Sequence, residues 1–406
     1  MKRSKVHIEN NEGIELAAYL ELPVDMKPHN FVIFAHCFTC NKNFKTVRNI
    51  SRSLTSEGFG VLSLDFTGLG ESEGTFSDTN FTSNIDDIEA AANYLTENHI
   101  SPSLLVGHSL GGTAVIKAAS RLDSVKAIAT IGSPAEPEHV TKLLKSNISE
   151  IEKQGFSEVD IGGNTFKIKK QFLDDLEEYS ISSVLPEMRK SFMFMHSPQD
   201  QIVDIENAAT LFKNARHPKS FVTLDGADHL LSGKSDSLYA GSVIAAWAKR
   251  YIETETVDEP ETDAQTFARI GSPDEKFTTQ IKNRHHSLIA DEPEKDGGFD
   301  LGPSPYELLN AALGACTVMT LRMYADHKKI DLQEVRVHLN HSKKHIEDCS
   351  DCENPNTKVD HISRELEIFG DLDEKQKQRM VQIADKCPVH KTLTGPAVRI
   401  ETKLKK

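Results

Sequence analysis

Gly107-His108-Ser109-Leu110-Gly111 spells G-x-S-x-G directly after the apolar run Leu104-Leu105-Val106 and ahead of a helical pattern over 113–119. A serine hydroxyl is a poor nucleophile at its ordinary pKa and needs a base beside it. A sharp strand-to-helix turn lifts the hydroxyl above a sheet edge, glycines let neighbouring segments come close, and the helix start points free N–H groups at the site. On this pattern the base is a histidine late in the chain, preceded by an acid. His229, in Asp225-Gly226-Ala227-Asp228-His229, and Asp200, in His196-Ser197-Pro198-Gln199-Asp200, meet that order, each just after an apolar run. Asp204 is the alternative acid and Asp228 a weaker one. The chemistry is acyl transfer, whose tetrahedral intermediate needs donors for its oxyanion. Candidates are the N–H of Leu110 and the N–H of Phe38, in the loop after the run at 31–35. The alternative for Ser109 is a plain helix-cap serine.

Sulfur supplies a second constellation. Ser304, Pro305 and Glu307 form a capping box with proline at the first helical position. The helix they open is apolar nearly all round as far as Leu321, which predicts a central, buried element containing Cys316. Cys387 follows an amphipathic helix over about 373–386 and precedes Pro388-Val389-His390. That places it at an N-cap, where unpaired N–H groups favour a thiolate. The two thiols suggest a redox pair; the alternative is a pair of inert packing residues. His341, His345, Cys349 and Cys352 are ligand types that suit zinc. They lie among Glu347, Asp348, Asp351 and Glu353, as in a solvated acidic loop, and no metal is assigned.

The elements that must position these groups are visible as short apolar runs at 31–35, 60–64, 104–106, 127–131, 192–195 and 221–224, separated by helical stretches at 43–57, 84–97 and 235–252. Such alternation predicts an α/β domain with a doubly wound parallel sheet, buried on both faces. A hairpin over 6–19 precedes it, turning near Asn11-Glu12-Gly13. Residues 134–189 interrupt the alternation with a polar, helix-like insertion containing a turn at Gly162-Gly163-Asn164. Lying between two strands, the insertion belongs over their C-terminal edge, as a lid; the alternative is a surface insertion without a role. The crowded acids of 253–265 form a self-repelling linker. Domains are therefore expected at 1–252 and 266–406.

The chain of 406 residues is 38% hydrophobic and 27% charged, with formal charge −14. That composition supports packed cores and argues against nucleic acid or an anionic membrane as partner. No signal peptide and no unbroken apolar run of membrane-spanning length is present, so a cytoplasmic location is expected. The six cysteines are expected to be reduced, metal-binding or reactive rather than a disulfide framework. Gly107 to Gly112 lacks the dinucleotide-loop spacing, and no cofactor is implied.

On these motifs residues 1–252 resemble the α/β-hydrolase superfamily, in the lidded branch of esterases and serine aminopeptidase-like hydrolases. Asp65-Phe66-Thr67-Gly68-Leu69-Gly70-Glu71-Ser72 resembles that branch's acidic, glycine-punctuated loop. Two positions depart from it: Cys37 stands where a glycine is usual, and Thr67 where arginine is common. The resemblance implies hydrolysis of small-molecule carboxylic esters by Ser109, His229 and Asp200. Thioesters, amides and peptides are handled by the same constellation.

Residues 266–406 resemble the OsmC/Ohr family. The motifs are Asp296-Gly297-Gly298-Phe299-Asp300-Leu301-Gly302-Pro303-Ser304-Pro305-Tyr306-Glu307, then Ala312-Leu313-Gly314-Ala315-Cys316-Thr317, then Ala384-Asp385-Lys386-Cys387-Pro388-Val389-His390. The resemblance implies an intertwined α+β homodimer with its site between subunits. It implies Cys316 as the peroxidatic thiolate and Cys387 as its resolving partner, with organic hydroperoxide as substrate and an external thiol as reductant. Arg284 and Glu307 are the nearest candidates to orient the thiolate. Glu307 falls one position after the family's glutamate, where Tyr306 stands, and one position is about 100° of helix rotation. A domain serving only dimerisation or ligand binding is the alternative.

Overall fold

The computed structural model describes residues 2–24, 27–37, 41–144, 146–161, 164–253, 262–271, 276–284, 286–345, 358–396 and 398–404. They form two compact units, residues 1–261 and 262–406.

Unit 1 opens with the antiparallel hairpin β1 (Lys2–Glu9) and β2 (Glu15–Leu22). Its turn is closed by the Asn10 carboxamide, whose oxygen accepts the N–H groups of Glu12 and Ile14. Alternating elements follow: β3 (Asn30–Ala35), α1 (Lys45–Ser56), β4 (Phe59–Leu64), α2 (Phe81–Asn98), β5 (Leu104–His108), α3 (Leu110–Ala119) and β6 (Ala127–Ile131). An insertion then carries α4 (Ile148–Gln154), β7 (Phe156–Ile161), β8 (Asn164–Lys169), α5 (Lys170–Glu177) and α6 (Ile181–Val184). The alternation resumes with β9 (Ser191–His196), α7 (Glu206–Asn214), β10 (Lys219–Thr223) and α8 (Lys234–Ala248).

Eight strands make one sheet in the order β1-β2-β4-β3-β5-β6-β9-β10. From β4 to β10 the neighbours are parallel. The apolar runs are continuous because both faces are covered. Phe31, Ile33 and Ala35 of β3 pack into a core with α2 and α3, while Val32 and Phe34 pack into a second core with α1 and α8. This is the doubly wound α/β architecture expected.

The insertion departs from expectation. It is not purely helical: β7 and β8 pair as an antiparallel hairpin, with Ser157 opposite Ile168 and Val159 opposite Phe166. Ser157, Val159 and Ile168 are buried, and the apolar ones join the α2–α3 core. Two inward residues per strand leave a period-two signal too short to stand out among charged neighbours. The turn expected at Gly162-Gly163-Asn164 lies largely outside the described residues.

Unit 2 is the α+β portion. Three short antiparallel strands, β11 (Phe267–Arg269), β12 (Thr279–Asn283) and β13 (His286–Ala290), precede α9 (Pro305–Lys328). A long ribbon, β14 (Asp331–His345) with β15 (Lys358–Asp371), then leads to α10 (Glu374–Ala384) and α11 (Pro388–Thr394). The capping box at Ser304 and Glu307 is present, with proline at the helix start. Burial of α9 is narrower than expected: Leu313, Thr317, Leu321 and Ala325 form one buried stripe, while Met319 and Met323 are 64% and 72% exposed. Residues four apart share a face, so packing against one ribbon and two helices covers one stripe. Among the described residues α9 alone is long and apolar enough to cross a membrane, but its stripe is built into the core with Leu332, Met380 and Ile383.

Candidate active site

Strand β5 ends at His108 and α3 begins at Leu110, so Ser109 makes the turn alone, with φ 53° and ψ −128°. A non-glycine residue held there stores on the order of 1–3 kcal/mol of strain. Neighbouring glycines make room for it. A Cβ on Gly107 would meet the Gly111 carbonyl oxygen at 2.4 Å, and one on Gly111 would meet the His36 carbonyl oxygen at 2.3 Å. The Ser109 N–H donates to the Ile131 carbonyl at 2.9 Å, tying the elbow to the next strand.

Three side chains from three strand ends then meet. Ser109 Oγ lies 3.1 Å from His229 Nε2, and His229 Nδ1 lies 2.7 Å from Asp200 Oδ2. The other Asp200 oxygen accepts the N–H groups of Ile202 and Val203 at 2.8 and 2.9 Å. Burial pushes the Asp200 carboxyl up, but the His229 bond and these N–H groups outweigh it and hold the group below its ordinary value. An ionised Asp200 fixes the proton on Nδ1 and leaves the Nε2 lone pair facing the hydroxyl. The alternative acids are spent elsewhere: Asp204 accepts the Glu206 N–H and Asp228 the Ser232 N–H.

Three further imidazoles, missed in the sequence, lie buried at the same sheet edge. His36 follows β3, His108 ends β5 and His196 ends β9. Their ring N–H groups donate to the carbonyls of Cys37, His229 and Val203 at 2.8, 2.7 and 2.8 Å. Burial is the main cause that lowers all three, and His108, also beside His229, falls to about 4.

Leu110 is the first residue of α3, so its N–H has no acceptor inside the helix and is free for an oxyanion. Phe38, the other expected donor, lies outside the described residues. Cys37 beside it is disulfide-bonded, which corrects, at this position, the expectation of cysteines outside a disulfide. Beyond this loop the buried Lys42 ammonium donates to Asp65 at 2.5 Å and to Glu71 at 2.7 Å. Thr67, in the same acidic loop, donates to Asp87 through its N–H and its hydroxyl.

In unit 2, Cys316 and Cys387 are free thiols, the first partly exposed and the second buried. Cys387 caps α11. Burial raises its thiol, but the Cys316 thiol, the N–H groups of His390 and Val389 and the Thr317 hydroxyl together bring it below the ordinary thiol range. Glu307 Oε2 accepts the Ser304 N–H at 2.7 Å, because the third helical position faces back to the cap. Arg284 sits in the turn between β12 and β13 with φ 54°.

Arg364 of β15 brings a guanidinium beside Thr317, the residue after Cys316. It donates to the Thr317 hydroxyl at 3.0 Å, the Ala384 carbonyl at 3.2 Å and Asp385 at 2.6 Å. A signal for it was available. Arg364 shares strand parity with Ile362 and Leu366, so a charge occupies an inward position. With Leu313, Ile362, Leu366 and Asp385 it lines a cavity of about 540 Å³. Among the described residues no cluster of three or more histidine, cysteine and acidic groups could hold a metal. His341 instead pairs with Asp360 at 2.8 Å and stacks on Tyr306 at 4.2 Å. Cys349 and Cys352 lie outside the described residues, as does the side chain of His345.

Comparison with known proteins divides the chain in the same way. Residues 26–167 match the serine aminopeptidase S33 family and residues 297–403 match the OsmC-like proteins. The esterase domain of a Rhodothermus marinus protein is similar in structure and sequence. It is 49% identical with a TM-score of 0.53, over 62% of this chain and 99% of that domain. Mouse alpha/beta hydrolase domain-containing protein 10 is similar in fold, at 21% identity and TM-score 0.52 over 61% of this chain and 99% of that one. The uncharacterized protein YfhR of Salmonella typhi is 24% identical over 196 residues, 47% of this chain. The matched region spans 62% of the length of YfhR.

Proposed function

Because the chain belongs to the α/β-hydrolase family, in an esterase domain followed by an OsmC-like domain, we propose that unit 1 hydrolyses carboxylic esters with Ser109 as nucleophile. The relay of Ser109 Oγ, His229 and Asp200, at 3.1 and 2.7 Å, carries this reading. His229 Nε2 takes the hydroxyl proton as Oγ adds to the ester carbon. The oxyanion is met by the Leu110 N–H at the start of α3. His229 returns the proton to the departing alcohol, leaving an acyl-serine. Water, deprotonated by the same imidazole, then releases the acid and restores Ser109. Ser109→Ala is expected to lower kcat for 4-nitrophenyl acetate by at least about 10³-fold. Near-full activity in that variant would remove Ser109 from the chemistry.

For unit 2 the reading is thiol-dependent reduction of organic hydroperoxides. A thiolate attacks the distal peroxide oxygen, the alcohol leaves, and the sulfenic acid condenses with the second thiol to a disulfide and water. Two external thiols restore the pair. Access favours Cys316 as the attacking sulfur, while ionisation is favoured at the buried Cys387. One equivalent of cumene hydroperoxide should remove both free thiols of this pair in the wild type. Dimedone should trap a sulfenic acid at Cys316 in Cys387→Ser and none in Cys316→Ser. A sulfenic acid only in Cys316→Ser would exchange the two roles. Unchanged counts of these thiols would leave unit 2 a dimerisation module, for which the exposed Met319 and Met323 on α9 speak.

A further inference from the structure

Four imidazoles stand at the carboxyl edge of the sheet, and the ester chemistry uses only His229. His108 is the residue immediately before the nucleophile. It is 3% exposed, and its Nε2–H donates to the backbone carbonyl of His229 at 2.7 Å. The loop carrying the base is caught at three nearby carbonyls. Ser197 Oγ holds Ala227 at 2.6 Å, His108 holds His229 itself, and Thr46 Oγ1 holds Leu230 at 2.7 Å. Of the three donors only His108 is covalently joined to Ser109.

We propose that His108 is a positioning residue for the acyl-transfer reaction: its Nε2–H locks the backbone of His229 to the nucleophile elbow, so that base and nucleophile share one frame. The role presupposes the Ser109–His229–Asp200 relay proposed above. The chemistry explains why an imidazole suits this place. A carbonyl acceptor fixes the proton on Nε2. The rings of His108 and His229 lie 5.1 Å apart, and His229 turns cationic in each half-reaction. A neutral donor holds the loop without opposing that charge, whereas lysine or arginine there would oppose it. The distance from Nε2 of His229 to Ser109 Oγ depends on where the loop's backbone sits. Reacting groups displaced by about 1 Å can lose about 100-fold in rate.

The test is kcat and KM of the full chain for 4-nitrophenyl acetate in wild type, His108→Gln, His108→Asn and His108→Leu. Glutamine carries an amide N–H at the reach of Nε2; asparagine carries one only at the reach of Nδ1. Exhaustive labelling with a fluorophosphonate, counted by mass, gives the competent fraction to which kcat is normalised. His108→Leu and His108→Asn should lower kcat roughly 10- to 100-fold with KM within about twofold, while His108→Gln stays within about fivefold of wild type. Equal kcat in His108→Gln and His108→Asn, or wild-type kcat in His108→Leu, overturns the assignment. Should the leucine variant not fold, the glutamine–asparagine contrast decides alone. Activity surviving in Ser109→Ala would instead overturn the nucleophile, which separates that failure from this one.

Discussion

Ser109, His229 and Asp200 are scattered over 121 residues of sequence, yet each was legible. Each sits at the carboxyl end of an apolar run, and a parallel sheet brings those ends to one edge. Their supports were not legible. His108 finds its acceptor 121 residues away and Arg364 finds the Thr317 hydroxyl 47 residues away, so neither contact marks the local sequence. Position after an apolar run puts Asp200 first among the acids, and the fold gives the reason the others stand aside: the Asp204 and Asp228 oxygens accept backbone N–H groups of Glu206 and Ser232, while Asp200 meets His229. Asp200→Asn should therefore lower esterase kcat by about 10³- to 10⁴-fold, since the amide can present its N–H to Nδ1 and spoil the tautomer. Asp204→Asn and Asp228→Asn should each stay within about threefold of wild type. Comparable losses in all three variants would return the acid's identity to the sequence-level ambiguity.

The helices and strands repeat this division between local and distant causes. The capping box at Ser304, the apolar runs and the turn near Asn11 are written in neighbouring residues and appear where the sequence places them. The β7–β8 hairpin and the exposure of α9 depend on what lies across from them. At α9 Glu307 is bound to its cap, while a guanidinium reaches Thr317 from β15. Ser304→Ala should cost about 1 kcal/mol of unit 2 stability in urea unfolding. Glu307→Gln, which keeps an acceptor for the Ser304 N–H, should leave the rate of hydroperoxide-dependent thiol loss unchanged. Arg364→Met should slow that loss, because Thr317, whose hydroxyl bonds the Cys387 sulfur, loses the side chain that holds it. If Glu307→Gln slows it and Arg364→Met does not, the orienting role belongs to the helix after all.

At the scale of the whole molecule, buried neutral histidines make the hydrolase unit sensitive to acid. His108 falls from 6.5 in the unfolded chain to about 4 in the fold. As pH drops through 6.5 the unfolded chain binds the proton first, so stability falls until both states are protonated below about 4. At about 1.4 kcal/mol per pH unit, His108 alone costs roughly 2 kcal/mol between pH 6.5 and 5. His36 and His196 act in the same direction. Glu21 and Asp87, raised by burial, act against it, because their folded forms take up protons before the unfolded chain does. Comparing wild type with His108→Gln cancels these common contributions. The chain's one tryptophan, Trp247, lies in α8, so its fluorescence follows unfolding of this unit. On moving from pH 7 to pH 5 the wild-type midpoint should fall further than that of His108→Gln by roughly 4–8 °C. Parallel falls in the two proteins would mean that the proton is taken up elsewhere, and that burial does not hold His108 neutral in the fold.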